Sequence, residues 1–268
     1  MNLSASAKLQ ARSIVALLVS RMRARYIGSR AGYVWAIVEP LAWVFVLKMA
    51  IRHNGDQLPP VGDSYEVFFA VGVIPARMWR MIAQGVSSVM NSGRSARLPG
   101  LLRLDLCYAN GVLEAITGFV VMIIALFILQ VFGFHAVPGD ILHFVIAFLA
   151  ITAFGIAFGL TVGVVLILAP GLQHFIGMFY MVMFFTSGFA FVVDRMPLAT
   201  KQIVLWNPLV HFIEWIRMGF YAGYECRSLD LSYAFVVTIC CLLIGLTGER
   251  IFRRHAGRQE VYEDAQEV

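Results

Sequence analysis

Four ionisable side chains, Glu39, Arg77, Arg80 and Glu114, stand inside stretches otherwise dominated by apolar residues. Charge in such surroundings costs about 2.5–3.5 kcal/mol at the centre of a membrane-inserted helix, so each group must find a partner or water. The chemistry open to them is ion pairing. Glu39, just before Pro40, and Glu114 each lie about 10 Å of helical rise into an apolar segment, and Arg80 reaches a comparable depth. These depths predict that Glu39 or Glu114 neutralises Arg80 within a helical bundle. The competing reading has the charges snorkelling to an interface, as Lys48 near the end of its segment is expected to do.

Groups arranged for covalent chemistry are missing. The lysines are Lys8, Lys48 and Lys201, and none is followed by Ser or Thr, so the chain has no phosphate-cradling Gly-Lys-Ser/Thr turn. HExxH, GxSxG and CxxC are absent as well. His135, His143, His174 and His211 are scattered and read as boundary or core histidines. The cysteines Cys107, Cys226, Cys240 and Cys241 show neither metal-ligand spacing nor a disulfide framework. No catalytic residue, metal or cofactor is expected on this chain.

The elements that must hold these charges are set by hydropathy. Residues 141–193 contain no Asp, Glu, Lys or Arg, and Ala169-Pro170-Gly171 interrupts them. As helix this run would extend roughly 80 Å, against about 30 Å for one hydrocarbon layer, so the Pro-Gly step reads as a turn between two crossings. The chain is 60% hydrophobic and 14% charged, whereas soluble domains are roughly 25% charged. An all-α integral membrane protein follows. Six spans are expected at about 32–51, 65–90, 107–132, 141–168, 172–193 and 231–249.

An even number of spans places both termini on one side. That side would hold thirteen cations: Lys8, Arg12, Arg21, Arg23, Arg25, Arg30, Arg94, Arg97, Arg103, Arg250, Arg253, Arg254 and Arg258. The other would hold five, Arg52, Arg195, Lys201, Arg217 and Arg227. Cytoplasmic loops carry the cationic excess, so both termini are expected in the cytoplasm. The same asymmetry accounts for the net charge of +5 without any nucleic-acid partner.

Outside the spans, residues 1–31 mix Leu9, Ile14, Val15, Leu17 and Leu18 with basic residues, the pattern of a helix lying in the membrane interface. The stretch Ile14–Val19 is followed by arginines rather than a small-residue cleavage site, unlike a cleavable signal. The loop 91–106 carries Arg94, Arg97, Pro99 and Arg103 among leucines. Residues 194–230 contain Pro197 and Asn207-Pro208 and suit two short helices dipping back into the outer leaflet, covered by protein or lining a wet cavity. Residues 250–268 form a polar cytoplasmic tail. Along 172–193, Tyr180, Phe184 and Phe191 fall at i, i+4 and i+11, one helical face. Such a face could slide along sugar rings; helix or lipid packing is the plainer alternative.

Residues 25–43 read RYIGSRAGYVWAIVEPLAW. This resembles the opening of the first span in ABC-2 type polysaccharide export permeases, with Arg25-Tyr26, Ser29, Gly32, Trp35 and Pro40-Leu41 at the family's positions. Ala31 departs from the family's usual bulky aliphatic. The likeness continues at Gly72, Pro75, Asn91, Pro99, Asp105, 109–114, Asn207-Pro208-Leu209, Glu214 and Arg217, and so covers nearly the whole chain. Capsular polysaccharide permeases are the most similar branch. Arg77 and Arg80 stand where the family more often has apolar or aromatic residues.

The resemblance implies a homodimer in the bacterial inner membrane and two ATP-binding cassette ATPases, which would carry ATP and Mg. It also implies a lipid-linked polysaccharide as cargo, and leaves open periplasmic and outer-membrane export partners. Residues 1–31 become an interface helix, with Arg25, Tyr26, Ser29, Arg30, Gly32 and Trp35 at the entry. The loop 91–106 becomes a coupling helix, with Arg94, Arg97, Leu98, Pro99, Leu101, Leu102 and Arg103 docking on the ATPase. Trp43, Tyr180, Phe184 and Phe191 become channel-lining candidates. Asn207, Pro208, Glu214 and Arg217 fall in an external gate of two half-helices. The transmembrane domain would be 32–249. The rivals are export of another glycan, such as O-antigen or teichoic acid, export of a small amphiphile, and an ATP-independent carrier.

Overall fold

The computed structural model describes residues 30–52, 59–92 and 102–266. Among the described residues every regular element is helical. The order is α1 (Arg30–Arg52), α2 (Tyr65–Asn91), α3 (Arg103–Val131), α4 (Ile141–Leu168), a 3-10 turn (Pro170–Leu172), α5 (Gln173–Phe185), a second 3-10 turn (Val193–Arg195), α6 (Leu198–Val204), α7 (Pro208–Phe220) and α8 (Leu231–Gln266). Among the described residues α3, α4 and the part of α8 from Leu231 to Arg253 are long and apolar enough to cross a membrane. Residues 1–29 of the expected interface segment and 93–101 of the expected coupling loop lie outside the described residues.

The centre of the bundle is α2. Every residue from Glu66 through Ala76 is buried, as expected of a helix surrounded by others. Its chief neighbours are α3 and α4, and α4 packs in turn on α7 and α8. The α2–α4 seam is close because α4 presents Gly155, Gly159 and Gly163, one every four residues, to α2. A Cβ on Gly159 would come within 2.7 Å of the Ala83 carbonyl oxygen and 2.8 Å of Val86 Cβ; one on Gly163 would meet Met90 Cβ at 2.4 Å. Small residues at this spacing let backbones approach where no water is available to drive association. Above the seam, Trp79 rests on Phe154 and Phe158, with ring centroids 5.8 and 5.5 Å apart. On the far side of α4, Thr161 Oγ1 donates to the Cys241 carbonyl oxygen of α8 at 2.6 Å.

Outward faces are apolar at helical spacing. On α3 these are Val112, Ile116, Val120, Ile123, Phe127 and Val131, all exposed, a stripe suited to lipid. One expectation about elements needs correction. The segment 172–193 does not run as one helix: α5 stops at Phe185, and Gly188, with φ +84°, turns the chain back. The polar stretch after Arg250 continues α8 as helix to Gln266.

Gly159→Leu should cost the bundle about 1–3 kcal/mol through overpacking against the α2 backbone. Thermal unfolding in detergent should show the loss, whereas Gly177→Ala, inside α5 with nothing within 4 Å of its added carbon, should hold the midpoint or raise it slightly. Equal midpoints for Gly159→Leu and the parent would contradict the seam.

Candidate functional site

Beyond Ala76, the positions of α2 that are not buried fall on one side: Arg77, Arg80, Met81, Gln84, Gly85, Ser88, Val89 and Asn91. Their spacing of three and four residues makes one continuous stripe, along which Arg77, Arg80, Gln84, Ser88 and Asn91 form a polar line. The stripe is bounded by two helices. Toward α1, Arg77 forms an ion pair with Glu39, Nε donating to Oε1 at 3.2 Å, with a second contact from Nη2 to Oε2. Toward α5, Arg80 Nη1 lies 2.9 Å from Met181 Sδ, and its guanidinium carbon stands 5.0 Å from the Phe184 ring centroid. Arg77 and Arg80 thus reach from α2 to α1 and α5, and the polar line of α2 between those two helices is the floor of a candidate groove.

A second ion pair joins Lys48 of α1 to Glu66 in the first turn of α2. The two pairs run in opposite directions along the helices, so α1 and α2 are antiparallel and held in one register. Lys48 therefore pairs rather than snorkels. The expected neutralisation of Arg80 is also corrected: Glu39 takes Arg77, one turn closer to its own level. Glu114 sits half-buried on α3.

At the other end of the bundle, a buried polar knot fastens the chain that leaves α5. Arg217 and Glu214 are 0% and 1% exposed. Arg217 Nη1 donates to the Phe191 carbonyl at 2.7 Å and to Glu214 Oε1 at 3.2 Å; Nη2 donates to the Phe189 carbonyl at 2.9 Å. The guanidinium lies over Phe68 of α2, 4.2 Å from the ring centroid. Glu214 also accepts from the Val193 amide at 3.3 Å and from the Tyr224 hydroxyl at 2.7 Å. Gly72 of α2 makes room, since a Cβ there would lie 2.4 Å from the Phe189 carbonyl oxygen. Asn207 caps α7 by accepting from Leu209 N at 3.0 Å, with Pro208 in the first turn, and it donates to the Met183 carbonyl at 2.8 Å. All four residues expected at the outer segment thus join one assembly of α5, α7 and the turn between them.

A neighbouring clamp was not foreseen. Asp194 accepts from Lys201 and the Arg227 amide, both at 2.7 Å, and from Ser228. Burial works to raise its pKa, but these donors outweigh it and hold the carboxyl at about 2. The clamp is therefore intact above the ordinary carboxylate range and would be lost only as pH falls toward 2.

The channel-lining candidates divide. Tyr180 and Phe184 are 2% and 3% exposed and face α2, not an open path. The Tyr180 hydroxyl donates to the Ala83 carbonyl at 3.0 Å and lies 3.1 Å from Ser87 Oγ. Phe191 packs beside Val193, Val204 and Val210, and Trp43 is half-buried against the main core. The open face of α5 instead carries Phe175, Met178, Phe179, Val182 and Phe185. Tyr180 is a polar aromatic, and only the position of Ser87 one turn from Ala83 hinted that its hydroxyl would look inward. Gln84, Ser88 and Asn91 were readable from the sequence as a helical continuation of Arg77 and Arg80.

Of the expected entry residues, Arg30 and Gly32 open α1 and Trp35 is exposed on it; Arg25, Tyr26 and Ser29 lie outside the described residues. So do Arg94, Arg97, Leu98, Pro99 and Leu101. The described ends of that loop are fastened to each other's helices. Arg103 Nη1 donates to the Met90 carbonyl at 3.2 Å, and the Leu102 amide donates to Asp105 Oδ2 at 3.2 Å, capping α3. Leu102 itself is exposed.

The ABC-2 type transporter family matches residues 13–221. The polysialic acid transport protein KpsM of Escherichia coli is 27% identical, covering 89% of this chain and 93% of the relative. The capsule polysaccharide export inner-membrane protein BexB of Haemophilus influenzae is 25% identical, covering 93% and 94%. The corresponding protein CtrC of Neisseria meningitidis is 27% identical, covering 89% and 90%.

Arg217→Met strands Glu214 in an apolar setting and should cost about 3–5 kcal/mol. Combining it with Glu214→Leu removes the stranded charge and should recover part of the loss. Chemical or thermal unfolding of the single and double variants checks this. A double variant less stable than Arg217→Met would show that the knot is not a coupled pair.

Proposed function

Because the chain belongs to the ABC-2 type transporter family, we propose that it is the permease subunit of an ATP-binding cassette exporter. The cargo is a lipid-linked capsular polysaccharide, moved across the bacterial inner membrane. The observation that carries this reading is the likeness to capsule-export and polysialic acid transport proteins along about nine-tenths of both partners. Hydrolysis belongs to a separate chain: this one has no phosphate-binding turn, so ATP and Mg sit on two ATPase subunits. Two copies of the permease form the path. Each has six spans with both termini in the cytoplasm, the side on which the cations accumulate.

The residues suggest how work reaches the cargo. The loop 91–106 docks on the ATPase as a coupling helix, with Arg94, Arg97 and the leucines 98, 101 and 102 as contacts. Its two ends are joined by Arg103 to Met90, so a displacement of the loop moves α2 and α3 together. Because α2 is close-packed on α4 through small residues, it transmits that displacement rather than absorbing it. The ATPase dimer must contact the loop differently in its open and closed states, since a partner indifferent to the two would shift nothing.

Cargo enters sideways beside the interface segment 1–31. It then follows the polar floor of α2 between α1 and α5 and leaves past the outer segment 194–230. There, α6 and α7 are half-helices dipping into the outer leaflet, with the Glu214–Arg217 knot as their pivot. Polar floor and apolar aromatic wall together give weak, sliding contact with sugar, whose rings have both faces.

Leu102→Asp should lower export and permease-stimulated ATP hydrolysis together, by about tenfold, the scale of one interface anchor. Membrane insertion should be retained. Export and ATPase assays in cells and proteoliposomes read this; undiminished export would remove the loop from the coupling path.

A further inference from the structure

Arg80 forms no ion pair, unlike the other cations that α1, α2 and α7 place among their apolar neighbours. Arg77, three residues away, is matched by Glu39; Lys48 by Glu66; and Arg217 by Glu214. Among the described residues, the ion pairs place no carboxylate within reach of Arg80. Its near contacts are a thioether sulfur and the face of Phe184, the one a weak acceptor and the other a quadrupole. Its Nε is buried and has no hydrogen-bond partner. The two guanidiniums of α2, Arg77 and Arg80, face the one carboxylate of Glu39 on α1, which Arg77 takes, and one positive charge is left over. An unpaired ionisable group at such depth marks a functional position.

We propose that Arg80 is an anion-binding residue of the groove, contacting a carboxylate or phosphate carried by the passing cargo. This rests on the permease reading, and it makes the transported polymer or its lipid linker an anionic one. The fork of the guanidinium suits a planar or tetrahedral oxyanion. Phe184 lies against that fork, and Met181 accepts only weakly from Nη1 through its sulfur, so a stronger oxyanion acceptor can displace it. Arg77, spent on Glu39, positions α1 instead. A single unpartnered cation with only weak local contacts would grip each anionic group briefly and release it to the next.

The test uses the full-length chain in phosphatidylcholine nanodiscs, with three probes: a sialic acid oligomer, a neutral maltooligosaccharide of equal length, and a polyprenyl phosphate without sugar. The parent should bind at least one of the two anionic probes about tenfold more tightly than the neutral one. Arg80→Gln should abolish that preference, and Arg80→Lys should keep part of it. Arg80-dependence confined to the sialic acid oligomer assigns the anion to the sugar chain; confined to the polyprenyl phosphate, it assigns the linker. Glu39→Gln serves as a second variant: freeing Arg77 should tighten anion binding several-fold. Loss of the preference in none of the variants, or a parent that binds no anion, overturns the proposal. Nucleotide-driven glycan export by the parent tests the permease reading separately. Parent export that Arg80→Gln matches in rate would overturn this inference alone.

Discussion

A charge placed among apolar helices must be answered by an opposite charge or by water, and the layout of this protein follows from how each one is answered. Glu39 with Arg77 and Lys48 with Glu66 clasp α1 along α2 at two levels. Glu214 with Arg217 fastens the chain beyond α5 onto α7 and, through Phe68, onto α2. Each pair ties a peripheral element to the same central helix. Replacing such pairs by apolar residues need not weaken a fold, so their value here lies in fixing register among helices whose outer faces are otherwise interchangeable hydrocarbon.

The central helix can serve as a shared reference because one part of it is closed and another open. From Glu66 to Ala76 it is buried on all sides and held close to the turn after α5 through Gly72; from Trp79 to Met90 one side is locked against α4 by a row of glycines. From Arg77 to Asn91 one face is only partly covered and carries the polar line Arg77, Arg80, Gln84, Ser88 and Asn91. The same rod thus joins the loop expected to meet the ATPase, the polar line and the Glu214–Arg217 knot. A rigid element with three such attachments suits the proposed permease, in which force applied at one end would be felt along the proposed cargo path.

Much of this was legible in the sequence because hydropathy over long windows is insensitive to local detail. The helix 141–168 was placed to the residue, and the helices α1, α2 and α3 to within a few. That α6 and α7 are short separate helices followed from Pro197 and Asn207-Pro208. The errors arose where the outcome depends on which face a helix turns inward. Tyr180 and Phe184 formed a plausible exposed stripe, but α5 is short and peripheral, and its most polar aromatic found the Ala83 carbonyl and Ser87 on α2. Likewise, depth alone could not say which arginine Glu39 would meet; that depended on the azimuth of α1 around α2. The end of α5 at Phe185 was masked by the apolar character of the turn that follows, where Gly188 was the visible clue.

The central claim is that the inner half of α2 meets water inside the membrane rather than lipid. Single cysteines at positions 84 and 88, in a background free of native cysteine, can be challenged with a membrane-impermeant thiol reagent in inverted membrane vesicles. Cysteines at 123 on α3 and 239 on α8 provide the lipid-facing comparison. Rapid labelling at 84 and 88 with little at 123 and 239 is the predicted result. Protection of 84 and 88 equal to that of the lipid-facing pair would contradict the account.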